Sequence, residues 1–410
     1  MKTAAIIAEF NPFHYGHMVP IQAARKQVGE DGLVLCIMSG NAVQRGSLAI
    51  ASKFARGRMA LSAGADLVVE LPAVYVLGSA QVFARGAVGL YHAMGFLENN
   101  LIFASEAGQI ELLKTAAMLL EQESTQEKIK EEMQKGQSYA AACQNALGRV
   151  GAGAVLQAPN NLLGIEYIRA IHHWQATNIA AHTVLRQGPD HDGTSPCGQF
   201  ASASYLREKI AQGEAAWDYM PQRAADILQG EMRQGHAPIY MEGVEQAILA
   251  LVRQGAVHPG GHLDDSEGLS GRIRQSARQA GSLEELYQLA KTKRYPMSRI
   301  RRMVLTMALG VGAEDRPVAP PYIRVLAAGA NGQAALRQME KTAKIPIISR
   351  PGQIKRLDMK AQKVFSVEER VTDLFALGKK EVELRRAGGE WREKPALQGE
   401  GLMENCPKIG

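Results

Sequence analysis

The chain is poor in cysteine. Four thiols, Cys36, Cys143, Cys197 and Cys406, are scattered over 410 residues with no CxxC pair. That spacing offers neither a zinc cage nor a disulfide framework, and it predicts a reducing, cytoplasmic setting and no protein-held metal. Long apolar runs are also missing. No window approaches the roughly 18 apolar residues of a membrane span, so no membrane role is expected. Met1-Lys2 leads straight into the first apolar run, which Glu9-Phe10-Asn11-Pro12 ends too early for a secretory leader. Aromatic residues make up only 6%, which predicts an aliphatic core. Two common nucleotide fingerprints are absent: no GxxxxGK[ST] loop occurs, and no GxGxxG follows a predicted strand. Acidic residues vanish from 286 to 313, while Lys291, Lys293, Arg294, Arg299, Arg301 and Arg302 crowd together there. The net charge of +6 is mild, but this block suits a polyanion such as RNA as well as it suits a solvated helix face.

What is present reads as α/β. Short aliphatic runs at 3–8, 33–38, 66–71, 101–104 and 179–185 alternate with helical patterns at 18–28, 53–63, 79–94, 109–121 and 162–174. Such alternation predicts a parallel sheet covered on both faces, with ligands beyond the carboxyl ends of the strands. The length exceeds what one core normally serves. The expected division is a first domain over 1–212, a mainly helical C-terminal domain over 213–377 carrying a small α/β piece (322–327, a helix near 333–343, 345–348), and a poorly ordered, charged tail over 378–410. The pattern sets no oligomeric state.

The chemistry concentrates where the first strand ends. His14-Tyr15-Gly16-His17 is an HxGH tetrad at a strand-to-helix junction. A helix start offers unpaired N–H groups and a positive dipole end, and residues three apart there face one ligand. Gly16 lets a phosphate approach the backbone. Histidine donors aimed at a phosphoryl oxygen stabilise the charge that grows as an oxygen nucleophile attacks the α-phosphate of ATP. Far downstream, Phe200-Ala201-Ser202-Ala203-Ser204-Tyr205-Leu206-Arg207 places hydroxyls and a guanidinium at another helix start. Ser202 fits a plain helix cap, and Arg207 can grip phosphate bidentately. The stretch looks like the ISSTxxR signature that partners HxGH in nucleotidyltransferases.

The chain resembles the bacterial tRNA(Met) cytidine acetate ligase family. The resemblance rests on "AEFNPFHYGH", "MSGNAVQRG" (38–46), "GADLVVELP" (64–72), "FASE" (103–106), "APNNLLGIEYIRAI" (158–171), "FASASYLR", "KRYPMSRIRR" (293–302), "YIRVLAAG" (322–329) and "IPIISRP" (345–351). It implies a Rossmann-like HxGH nucleotidyltransferase domain and a two-step reaction. ATP and acetate give acetyl-adenylate and pyrophosphate. The acetyl group then passes to N4 of the wobble cytidine of elongator tRNA(Met), giving N4-acetylcytidine. By the same resemblance His14, His17, Ser202 and Arg207 are catalytic. ATP is held by Ile7, Ala8, Glu9, Phe10, Asn11, Pro12, Phe13, His14, Tyr15, Gly16, His17, Met18, Val19 and Pro20, with Ala104, Asn160 or Asn161, and Arg186. Mg2+ is expected with ATP, bound largely by phosphate and water.

Other readings stay open for single residues. Asn161 can cap the following helix, and Arg186 can be a surface arginine. Ser39, Asn41, Gln44 and Arg45 can hold acetate or phosphate or simply pack a loop, and Pro189–Gly193 reads better as a turn than as an ion site. Three positions depart from the family pattern: Ala104 replaces a glycine, Ser52 an acidic residue, and Tyr15 a common asparagine. Two competing functions fit the motifs alone: a nucleotidyltransferase that adenylylates a small phosphate-bearing metabolite, and a non-catalytic RNA-binding protein with a retained nucleotide pocket. The basic residues from Lys291 to Arg302 are the candidate tRNA contact.

Overall fold

The computed structural model describes residues 1–148, 153–188, 195–255, 261–265 and 268–397. Its centre is a sheet built on β1 (Lys2–Ala8), whose register is fixed by parallel pairing on both sides. On one side lie β2 (Leu33–Ser39) and, beyond a two-residue hairpin of β3 (Ala42–Val43) and β4 (Ser47–Leu48), β5 (Leu67–Leu71). On the other lie β6 (Glu98–Ser105) and β7 (Ile179–Leu185). The chain therefore leaves β1 in one direction and returns on its other side. The strand order reverses between β1 and β6, which opens a crevice at their carboxyl ends.

Alternation explains why the central strands are buried on both faces. Leu33, Leu35 and Ile37 of β2 enter one core, and Val34, Cys36 and Met38 enter the other. The predicted strands and helices are all present, within a few residues at each end.

Two expectations fail. The small α/β piece does not form its own layer: β8 (Ile323–Ala328) joins the main sheet antiparallel to β5, with β9 (Ile347–Ile348) on its outer edge. Its short apolar runs fit the unfilled edge of β5, which a reading by nearest neighbours in sequence misses. The tail is also built into the molecule as far as residue 397. The helix Gly389–Arg392 buries Glu390 completely, and β10 (Ala396–Leu397) pairs in parallel with β8. One buried carboxylate matched to a buried lysine anchors a stretch whose composition looks solvated. The rest of the expected tail, and residues 189–194, lie outside the described residues. Helices over 222–308 pack as the expected helical region, and the basic helix Met297–Ala308 leans against the β3–β4 hairpin. Among the described residues no helix is long and apolar enough to cross a membrane.

Candidate active site

The crevice is a single cavity of about 1050 Å³, at the top of the usual range for a small-molecule site (about 300–1,000 Å³). Its floor is the end of β1. Phe10 takes a left-handed φ of 50°, which turns the chain sharply out of the strand. Arg56, completely buried, braces this turn by donating to the Glu9 carbonyl at 2.5 Å and to the Gly40 carbonyl. Burial lowers its pKa to about 10, so it stays charged. Glu9 is half-buried on the floor, and its Oε1 accepts from the Gln44 N–H at 2.6 Å. Burial pushes its carboxyl above the ordinary range, against the pull of that bond and of Arg56, Arg207 and Arg45.

The two histidines form a capping box. His14 is the N-cap of the helix Tyr15–Val28; its Nδ1 accepts from the Gly16 N–H at 3.0 Å, and His17 Nδ1 accepts from the His14 N–H at 3.1 Å. Both Nδ1 atoms act as acceptors, so in each ring the proton sits on Nε2. The rings lie 3.8 Å apart, and Phe10 and Phe13 pack on His17 at 5.0 and 5.4 Å, which fixes its rotamer. Gly16 is required sterically: a Cβ there would stand 2.8 Å from His14 Cε1.

Of the stretch expected to hold ATP, Ile7, Ala8, Glu9, Phe10, Asn11, His14, Gly16, His17 and Pro20 line the cavity. Pro12 and Phe13, in the turn before the helix, are buried and do not; Tyr15, Met18 and Val19 do not either, because the helix turns them toward its other faces. Ala104 also lines it, within β6 and outside the left-handed region, so the departure from glycine costs no backbone geometry. Arg186 follows β7 into the lining. Ser202 caps the helix Ala203–Ala211 by accepting from the Tyr205 N–H at 3.1 Å, and Arg207 Nη1 donates to the Asn11 carbonyl at 2.7 Å. The two motifs, far apart in sequence, thus meet at one turn.

The asparagine pair resolves. Asn160 lines the cavity, with its amide on Glu106 at 2.7 Å. Asn161 is buried away from it; its Oδ1 accepts from the Ala107 N–H at 2.9 Å and holds the 105–108 turn. Its other expected role also fails, because Glu106 caps that helix by accepting from the Asn161 N–H at 2.9 Å. Ser39 and Asn41 are likewise buried structural residues, Asn41 bridging the Lys53 N–H and Thr372. Gln44 and Arg45 of the same loop do reach the cavity. Ser52 supplies the helix cap that an acidic residue would, accepting from the Ala55 N–H at 3.2 Å.

The opposite wall is the basic block. Arg294, Arg299, Arg301 and Arg302 line the same cavity, whereas Lys291 and Lys293 point to solvent outside it. Arg302 Nη1 donates to the Gln44 carbonyl at 3.3 Å, and burial lowers its pKa to about 10. Arg299 lies over Tyr295 and Arg301 over Tyr287. Gly46, at φ 78°, lets the hairpin touch this helix; a Cβ there would stand 2.3 Å from the Arg302 nitrogen. With Arg45, Arg186 and Arg207, seven arginines face three carboxylates, Glu9, Glu166 and Asp264, among the described residues, a balance suited to phosphates. Among the lining residues that sequence reasoning missed are Tyr139, Glu166 and Tyr167. Glu166 and Tyr167 lie within the segment 158–171 that carries part of the resemblance, but nothing in it singles them out, and Tyr139 lies in a helical stretch with no motif.

The comparisons with known proteins follow this geometry. The HIGH Nucleotidyl Transferase family matches residues 1–389. The tRNA(Met) cytidine acetate ligase of Acetivibrio thermocellus is 34% identical over 413 residues, covering 96% of this chain and 99% of that protein. The crystal structure of apo Thermotoga maritima TmcAL superposes with a TM-score of 0.90 at 31% identity, covering 97% of this chain and 99% of that one. The same protein bound with alpha-thio ATP gives a TM-score of 0.88 at 30% identity, over equal coverage. The chain belongs to the HIGH nucleotidyltransferase family and, within it, to the tRNA(Met) cytidine acetate ligases.

Proposed function

We propose that this chain activates acetate with ATP and transfers the acetyl group to N4 of the wobble cytidine of elongator tRNA(Met). The observation that carries this reading is the joining of the HxGH turn and the arginine-rich helix as two walls of one cavity. A metabolite adenylyltransferase needs the first wall but not the second. In the first step an acetate oxygen attacks the α-phosphate, the bond to the β-phosphate bridging oxygen breaks, and pyrophosphate leaves. The Nε2–H groups of His14 and His17 stabilise the phosphoryl oxygens, and the surrounding guanidiniums hold the leaving phosphates. Asn160, Ala104 and Arg186 mark the nucleoside end. Mg2+ would be carried mainly by phosphate and water; Glu9, the carboxylate beside the histidines, is already engaged by Gln44. In the second step the N4 amine attacks the acetyl carbonyl and AMP leaves. A cytidine in a single-stranded anticodon loop can be splayed into such a cavity.

The test is incubation with ATP, labelled acetate and unmodified tRNA(Met). Label recovered as N4-acetylcytidine supports the reading. Acetate-independent adenylylation of a metabolite, or no turnover, overturns it.

The basic wall has its own expected outcome. Neutralising Arg299 and Arg301 together lowers tRNA affinity and flattens its salt dependence by roughly 0.7 per lost phosphate contact on a single strand. Filter binding across a salt series reads both, and unchanged binding removes this helix from the tRNA site. Arg302 is kept apart from that test because it also holds the Gln44 loop.

A further inference from the structure

Glu166 takes no part in the account above, yet it is one of the few buried carboxylates in the cavity wall. It lies on the helix Pro159–His173, whose Asn160, Leu163, Glu166 and Tyr167 recur at three- and four-residue spacing and present one face to the cavity. Only 2% of the residue is exposed. One oxygen, Oε1, accepts from Arg169 Nη1 at 2.8 Å; the other, Oε2, is buried with no hydrogen-bond partner among the described residues. Arg169 does not depend on Glu166 alone, because its Nε also donates to Glu121 at 2.5 Å and its Nη1 to the Tyr139 hydroxyl at 3.2 Å. A buried carboxylate oxygen left unpaired is costly, and it calls for a donor from outside the chain.

The ligands of the proposed reaction differ sharply in what they offer. Acetate and the phosphates present only acceptors and are repelled by a carboxylate. An exocyclic amine on a base presents N–H. Glu166 stands about 9 Å along the helix from Asn160 at a rise of 1.5 Å per residue, away from the nucleoside end. It is flanked in the lining by the half-buried Tyr139, a flat side chain on which an extruded base can stack, while Tyr167 beside it is core and packs on Phe103. Carboxylates read cytosine through its N4 amine.

We propose that Glu166 is a catalytic residue of the transfer step, accepting the N4–H of the bound cytidine and removing that proton as N4 attacks. The nitrogen forms its bond to the acetyl carbonyl carbon, the N4 proton passes to Oε2, and the bond from that carbon to the AMP phosphate oxygen breaks with its electron pair. AMP leaves, and Glu166 returns the proton to solvent. Burial raises the carboxyl above its ordinary range, which strengthens it as a proton acceptor, while Arg169 opposes the shift. The other charged or titratable groups around it are Arg85, Glu121, Tyr139 and Cys143.

This inference rests on the ligase reading, and two measurements separate their failures. Acetate-dependent exchange of labelled pyrophosphate into ATP reports activation alone. Single-turnover transfer from preformed acetyl-adenylate to unmodified tRNA(Met) reports the second step. In Glu166→Gln, exchange stays within about twofold of the parent with KM for ATP unchanged, which also shows that the fold holds. Transfer falls by about 10²–10⁴-fold, the usual worth of a general base. Transfer within a few-fold of the parent overturns the proposal, and a raised KM for ATP shows that the carboxylate reads adenine instead. Should Glu166→Gln fail to fold, the parent enzyme decides: its transfer rate rises with pH through a value above the ordinary carboxylate range, and a flat profile overturns the base. A parent enzyme without acetate-dependent exchange overturns the ligase reading itself.

Discussion

Replacing His17 by alanine lowers acetate-dependent pyrophosphate exchange by about 10²–10³-fold, the usual loss when one preorganised donor to a developing oxyanion is removed. The size follows from how the ring is held. His17 Nδ1 is committed to the His14 N–H, and Phe10 and Phe13 lock the ring in place. Nε2–H is therefore aimed before substrate arrives and needs no reorganisation in the transition state. The same substitution removes half of a capping box, a cost of about 1 kcal/mol to the fold, too small to explain the loss of rate. Filter binding of tRNA stays near the parent value, because the arginine wall is untouched. His14→Ala should cost at least as much, since His14 ties the Gly16 N–H as well as presenting its own Nε2. Exchange within tenfold of the parent in His17→Ala refutes the assignment.

The sequence carried the first half of this site well. HxGH and the serine-arginine stretch are local chemical signatures, and each depends on a helix start that short-range pattern can place. The choice between Asn160 and Asn161 was beyond such reading. Adjacent residues on a helix face about 100° apart, and only the position of Glu106 decides which one turns inward. Ser39 and Asn41 stay ambiguous in sequence because a polar loop after a strand looks the same whether it meets ligand or Thr372. Charge clustering located the basic block but not its target; the contact of Gly46 with the Arg302 backbone brings it over the HxGH turn. Glu166 lies inside the quoted segment 158–171, but nothing there marks it as chemical, since a lone glutamate in an amphipathic helix reads as solvated. The tail failed for the opposite reason: its polar residues include one that is fully buried.

That residue, Glu390, sets the second large effect. Lys53, Glu70, Arg324, Glu368 and Glu390 lie together at 1% exposure or less, drawn from two strands and three helices that span the chain. Lys53 Nζ reaches Glu70 at 2.7 Å and Glu390 at 2.8 Å, and Thr372 Oγ1 donates to Glu390 at 2.8 Å. Arg324 lies 3.5 Å from Glu390 and over the Phe365 ring, and its nitrogens make no hydrogen bond among the described residues. Glu390→Gln keeps the shape but strips Arg324 of its ion pair, so stability falls by about 3–5 kcal/mol, the cost of an uncompensated buried charge. Glu368 behaves oppositely. Burial, and then the charge of Glu70, hold its carboxyl well above the ordinary range. Two positive charges facing three carboxylates are balanced when Glu368 keeps its proton. A raised folded-state pKa contributes stability that is complete below the unfolded value and lost as pH rises through the folded one. Glu368→Gln, which mimics the protonated form, is therefore neutral or stabilising at neutral pH and removes this alkaline loss. Urea unfolding of both variants at pH 6 and pH 9 checks the contrast. A Glu390→Gln loss under about 1 kcal/mol, or a Glu368→Gln loss as large as that of Glu390→Gln, contradicts this charge balance. Through Glu70 and Glu368, which sit against Gly40, the same charge balance supports the Gly40–Gly46 loop, whose Gln44 and Arg45 line the cavity.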